Sequence, residues 1–245
     1  MPLRLAIFDV DGTLVDSQAT IVACMQQAFA AEGLPPPAPE AVRRIVGLTL
    51  PIATAELLGE PDPVLAERLA EHYKAAFFAM RARPDFEEPL FPGARAVLDA
   101  LLAEGWLLGI ATGKAMRGLR AVLERHGLEW HFASLQTADR HPSKPHPAMI
   151  EAALAETGVD RAATSMIGDT SFDMAMAVAA GVRPIGVAWG NHPAEELVAA
   201  GAERILGRFE DLLEPADASR ERGIVIGSSR AASRTGPGKE GEGAR

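Results

Sequence analysis

Leu3-Arg4-Leu5-Ala6-Ile7-Phe8-Asp9-Val10-Asp11-Gly12-Thr13-Leu14 opens on a short apolar run and stops on two acids and a turn. A run of this length, bounded by a turn signal, reads as a buried strand over residues 3–10. Asp11-Gly12 alone would pass for an ordinary solvated turn. Asp9 would not, because a carboxylate inside an apolar strand end is costly unless something compensates it. At average residue frequencies, D-x-D-G-T arises by chance in about one chain in five hundred of this length, so the pair of acids calls for a chemical explanation.

Working outward from that strand, short apolar runs alternate with helical patterns. Further strands are expected at 107–112, 133–137, 165–169 and 184–187, and helices at 91–105, 116–126, 147–157 and 172–180, with glycine stopping each helix. The alternation predicts an α/β fold: a Rossmann-like parallel sheet with helices on both faces. The exception lies between the first two strands. Four amphipathic helices are expected there, at 20–32, 39–46, 51–58 and 62–83, where a crossover needs only a dozen or so residues. The expected organisation is therefore a core domain from 1–16 and 89–214, with an inserted helical domain at 17–88. Beyond 214 the composition turns to Ser, Arg, Gly and Glu, and 215–245 is expected to be a disordered tail, with Ile224-Val225-Ile226 as its one apolar patch.

Composition narrows the function. Net charge is −9, and the lysines are few and scattered (Lys74, Lys114, Lys144 and Lys239), so neither nucleic acid nor an anionic membrane surface is an expected partner. The single cysteine, Cys24, cannot form an intrachain disulfide and reads as a small core residue. The first apolar run is too short for a signal peptide, and no apolar stretch is long enough to span a membrane, so a cytoplasmic monomer or homodimer is expected.

In parallel sheets, ligands bind beyond the carboxyl ends of the strands, where Asp9 and Asp11 fall. The fourth strand ends the same way, delivering Asp169 and, four residues later, Asp173. Hard oxygen ligands at adjoining strand ends suit Mg²⁺. Helix capping is the plain alternative, but it accounts for one of those acids and not both. Thr112-Gly113, at another strand end before a helix, is placed to hold phosphate oxygens. Lys144, in Pro142-Ser143-Lys144-Pro145-His146-Pro147, is placed to neutralise the acids, while His141 and His146 read as loop residues.

Asp9-Val10-Asp11-Gly12-Thr13, Thr112, Lys144 and Gly168-Asp169-x-x-x-Asp173 occur in the order of the four motifs of the haloacid dehalogenase-like superfamily. Over roughly 3–213 the chain resembles the phosphoglycolate phosphatase and β-phosphoglucomutase branch, and the insertion is similar to that branch's four-helix cap. The resemblance implies a Mg²⁺-dependent phosphatase acting on small phosphoglycolate-like or sugar phosphates through an aspartyl-phosphate. It makes Asp9 the nucleophile and Asp11 the acid and base. Lys144 and Thr112 complete the catalytic set, with Mg²⁺ on Asp9, the Asp11 carbonyl, Asp169 and Asp173. Thr13, Gly113, Arg44 and Thr49 fall on the substrate side, the last two in the segment 43–50 that resembles the family's substrate-contacting loop. A sugar phosphomutase shares these core motifs and ranks second, because Leu48-Thr49-Leu50 stands where its cap offers a basic residue. A phospho-aspartate switch without catalysis is the contrasting possibility.

Overall fold

All five expected strands form in the computed structural model, which describes residues 3–59 and 61–214. They are β1 (Arg4–Phe8), β2 (Trp106–Thr112), β3 (Ser134–Thr137), β4 (Thr164–Gly168) and β5 (Arg183–Val187). A sixth, β6 (Arg204–Leu206), pairs with β5 at the edge. Three residues are too few to show a period, which is why the pattern missed it. The sheet is parallel throughout, in the order β3-β2-β1-β4-β5-β6. The chain runs outward from β1 through β2 to β3, then returns to lay β4 on the other side of β1. That reversal opens a crevice at the carboxyl ends of β1 and β4, the place where open α/β sheets bind ligands.

Side chains alternate across the sheet, so β1 feeds two cores. Ala6 and Phe8 join one cluster with Val97 and Leu101 of α5 (Ala94–Ala103) and Leu119 and Leu123 of α6 (Met116–His126). Leu5 and Ile7 join the other with Ile150 of α7 (Ala148–Thr157) and Ala177 of α8 (Ser171–Ala180). A run buried on both faces is apolar at nearly every position, as Leu5 to Phe8 is. Helix α5 begins later than expected because Gly93, at φ 83, caps it from outside the helical region. A short helix, α9 (Ala194–Ala199), was not expected from the pattern.

Between β1 and α5 lie α1 (Gln18–Ala31), α2 (Pro39–Arg44), α3 (Leu50–Leu58) and α4 (Pro63–Arg81). They enclose a third apolar cluster of their own, in which Ile21, Met25 and Phe29 of α1 meet Val42 and Leu69. Cys24 is fully buried, and burial pushes its thiol up to about 11, in keeping with a core role. By packing, the chain divides at Leu213/Glu214, and the insertion belongs to the same compact unit as the sheet. The tail over 215–245 lies outside the described residues. Among the described residues, no helix is long and apolar enough to cross a membrane.

Candidate active site

The site begins where β1 stops. The Asp9 N–H donates to the Ile167 carbonyl at 2.9 Å, extending the ladder by one residue and leaving Asp9 at the strand end, 1 % exposed. The Val10 carbonyl then accepts from the N–H groups of Leu14 and Val15, both at 2.9 Å, so the chain curls at once. The curl needs Gly12 twice over. Its φ is 84°, and a Cβ there would meet Asp169 Oδ2 at 2.3 Å. The same curl brings Thr13 beneath the neighbouring strand, where its hydroxyl donates to Asp169 Oδ1 at 2.8 Å.

Asp169, at the end of β4, is fully buried. Its Oδ2 accepts from both the backbone N–H and the side-chain amide of Asn191, each at 2.8 Å. Thr170 caps α8 and forms a capping box with Asp173, whose Oδ2 accepts from the Thr170 N–H and hydroxyl. Capping therefore accounts for one oxygen of Asp173. The other, Oδ1, accepts from Lys144 Nζ at 2.6 Å, and the same ammonium lies 3.0 Å from Asp9 Oδ1. Burial opposes the charge of Lys144, but Asp173 and Asp9 outweigh it and hold the ammonium above its ordinary range.

Three carboxylates around one ammonium leave a buried excess of negative charge. Burial pushes Asp9 up to about 6; Lys144 pulls it down, while Asp173 and Asp11 push it up. Burial likewise pushes Asp169 up to about 7, with Asp9 and Asp173 adding to the rise. Oxygens of Asp9, Asp169 and Asp173 lie within 4.8 Å of one another. Neither oxygen of Asp9 meets a donor in hydrogen-bond geometry among the described residues. Orphaned buried carboxylate oxygens beside two further carboxylates are the donor set of a hard cation, so these residues fit a metal ion.

The end of β2 completes the crevice. Thr112 and Gly113 line a cavity of about 280 Å³ together with Asp9 and Asp11. Asp11 Oδ1 accepts from the Ser17 hydroxyl at 2.6 Å and lies 3.0 Å from Lys114 Nζ. Lys114 also approaches Glu88 at 3.7 Å and stands over the Phe77 ring. Gly113 faces the insertion so closely that a Cβ there would be 2.6 Å from the Gly47 carbonyl oxygen.

The expected residues thus fall into three groups. Asp9, Asp11, Thr112 and Gly113 line the cavity, while Lys144, Asp169 and Asp173 meet Asp9 behind it. Thr13 supports Asp169 instead of facing the cavity. Arg44 and Thr49 do not line it either. The Arg44 guanidinium makes a bidentate pair with Glu196 of α9 at 2.7–2.9 Å, and the Thr49 N–H donates to the Ser143 hydroxyl. Both hold the insertion to the sheet domain, a use that a helix surface pattern does not reveal. Sequence reasoning missed Lys114, Ser17, Glu88 and Asn191. The strand-end rule could have found Lys114 and Asn191, since each lies just beyond a strand; nothing local marks Ser17 or Glu88.

The family model for haloacid dehalogenase-like hydrolases matches residues 6–187. The chain belongs to that family. Among its relatives is "Probable phosphatase IndB" of Dickeya dadantii (strain 3937), 36 % identical over 216 residues that cover 87 % of this chain and 94 % of that one. The phosphoglycolate phosphatase of Rhodospirillum rubrum is 33 % identical over 217 residues, covering 85 % and 89 %. A solved hydrolase from Pseudomonas syringae superposes with a TM-score of 0.78 at 29 % identity, over 88 % of this chain and 98 % of that one. In this haloacid dehalogenase-like hydrolase, then, the family's matched span runs from β1 to the end of β5 and takes in every cavity-lining residue.

Proposed function

We propose that this chain is a Mg²⁺-dependent phosphatase that hydrolyses small phosphate monoesters through a phosphorylated Asp9. The observation that carries the reading is Asp9 itself: a buried carboxylate whose one close charge partner is the Lys144 ammonium, facing a cavity that Asp11 also lines. The family and the phosphatase names among its relatives support it.

In the first half-reaction Asp9 attacks phosphorus, the ester P–O bond breaks, and Asp11 gives its proton to the departing alkoxide. In the second, Asp11 takes a proton from water as that water displaces Asp9 from phosphorus. Splitting one displacement into two is covalent catalysis with a single acid–base partner. Lys144 fixes the orientation of Asp9 and offsets the charge of an anion approaching an anion. Asp9 and Asp169, with Asp173 and the Asp11 carbonyl beside them, would hold Mg²⁺, which supplies positive charge for the phosphoryl oxygens. Thr112 and Gly113 take those oxygens from the β2 side. The inserted domain, 17–88, acts as a cap: its own core keeps it rigid, and its 45–50 segment closes the cavity over the strand ends and excludes water.

The test is phosphate release from a panel of small esters, with Mg²⁺ and with EDTA, beside Asp9→Asn. Release that needs both Mg²⁺ and Asp9 is the expected result. Release that survives either change refutes the mechanism, and no release from any ester refutes the activity.

A further inference from the structure

The cavity beyond Asp9 has two unlike ends. Its floor, at the strand ends, is polar and carries the reacting groups, whereas its roof is built from Ile21, Met25, Ile45, Leu48, Leu50 and Phe77 of the inserted segment, with Tyr73 beside them. A leaving group attached to a phosphoryl on Asp9 has to project into that roof, because the floor is already taken by Asp11, Thr112 and Gly113.

Four cations border the same space, and their partners decide what it accepts. Lys114 is held by Asp11 and Glu88, Arg81 by Glu88 at 3.0 Å, and Lys74 by Glu71 at 2.6 Å. Arg117 is exposed and stacks on Phe78, itself 62 % exposed, so that pair lies at the rim and not in the roof. A second anionic group seated under the roof would have to draw Lys114, Arg81 or Lys74 from its carboxylate, or leave its own charge against apolar carbon, because Arg117, on the Phe78 ring, stands outside the roof. The volume, about 280 Å³, is nearly twice the ~150 Å³ that suffices for a benzene ring in a dry protein cavity, which leaves room for a ring and a phosphoryl group together.

From this wall we infer that the substrates are phosphate monoesters of apolar alcohols, aromatic or branched aliphatic, with no second anionic group. The inference rests on the phosphatase reading above and deepens it by naming the leaving group. It also separates this chain from an enzyme selective for a phosphorylated hydroxy acid, whose carboxylate would meet the apolar roof.

The experiment compares benzyl phosphate with 2-phosphoglycolate on the full chain with Mg²⁺, and includes p-nitrophenyl phosphate as a generic ester. Benzyl alcohol and glycolate both leave as primary alkoxides, so the ratio reads the roof and not leaving-group chemistry. The expected kcat/KM favours benzyl phosphate by at least about tenfold, the lower end of what an apolar pocket discriminates. Leu48→Arg, which places an unpaired cation in the roof, should shrink that ratio. If this variant does not fold, the wild-type ratio decides alone. A smaller wild-type ratio or a reversed one, with phosphate still released, overturns the inference and leaves the phosphatase reading intact. No release even from p-nitrophenyl phosphate overturns both.

Discussion

Replacing Lys144 by methionine keeps an unbranched apolar stem one atom shorter and removes the charge, which isolates what that ammonium does. Lys144 is 1 % exposed, with Nζ 2.6 Å from Asp173 and 3.0 Å from Asp9. Breaking a buried ion pair by removing one partner costs about 3–5 kcal/mol, because the charge left behind is uncompensated. That cost should depend on pH with a definite sign. In the wild type, burial raises Asp9 from 3.8 to about 6, so the folded protein binds more protons than the unfolded chain in that window, and stability falls as pH rises through it. Without Lys144, which pulls Asp9 down, the carboxyl rises further and the fall continues to higher pH. Each further unit makes the variant about 1.4 kcal/mol worse at pH 8 relative to pH 5. The charge of Lys144 itself is constant over this range, since its partners hold it above the ordinary lysine value. Urea unfolding in EDTA should therefore show a loss of about 3–5 kcal/mol at pH 8 that is smaller at pH 5. Equal losses at the two pH values would refute the reasoning and assign the cost to packing of the aliphatic stem.

Three further perturbations separate the roles of neighbouring residues. Gly113→Ala drives a methyl group into backbone at Gly47 and Leu48, which cannot move aside as a side chain can; it should cost about 1–3 kcal/mol in thermal unfolding and raise KM, and wild-type values for both would show that the cap does not close this tightly. Asn191→Ala removes the side-chain amide from Asp169 Oδ2 but keeps the backbone donor. Half-saturation by Mg²⁺ should then rise about 10–100-fold in activity titrations, and an unchanged midpoint would mean that Asp169 needs no such support. Arg44→Ala should leave KM for a small ester unchanged, because that guanidinium is engaged by Glu196 outside the cavity; a large rise in KM would return Arg44 to the substrate side.

Much of this protein was legible from short stretches of chain. The β1 run, Leu5 to Phe8, is apolar at every position because both its faces are covered, and with the turn signal after it this marks a buried strand. Asp9, Asp11, Asp169 and Asp173 could be placed at strand ends, since a run of this kind stops where the chain turns polar. The four helices expected in the insertion all form. Outside the insertion, the start of α5 moved by a few residues to Gly93, where backbone conformation and not hydrophobicity decides.

Who meets whom was another matter. Thr13 reaches Asp169 across 156 residues, and Asp11 meets Lys114 across strands that are adjacent only because of the strand order. Capping was visible at Thr170, yet the second use of Asp173, as a seat for Lys144, required the loop after β3 to fold back over β4. Arg44 shows the limit most directly: its sequence neighbourhood suggests a substrate contact, and only the fold brings Glu196, 152 residues away, within reach of its guanidinium. The sequence by itself determined five of the six strands, the inserted helices and the acids at the strand ends, because periodicity and strand ends are written within a few residues of one another. Only the tertiary structure decided the partners of those acids and the apolar roof above them, because both arise from side chains distant along the chain that the fold alone brings together.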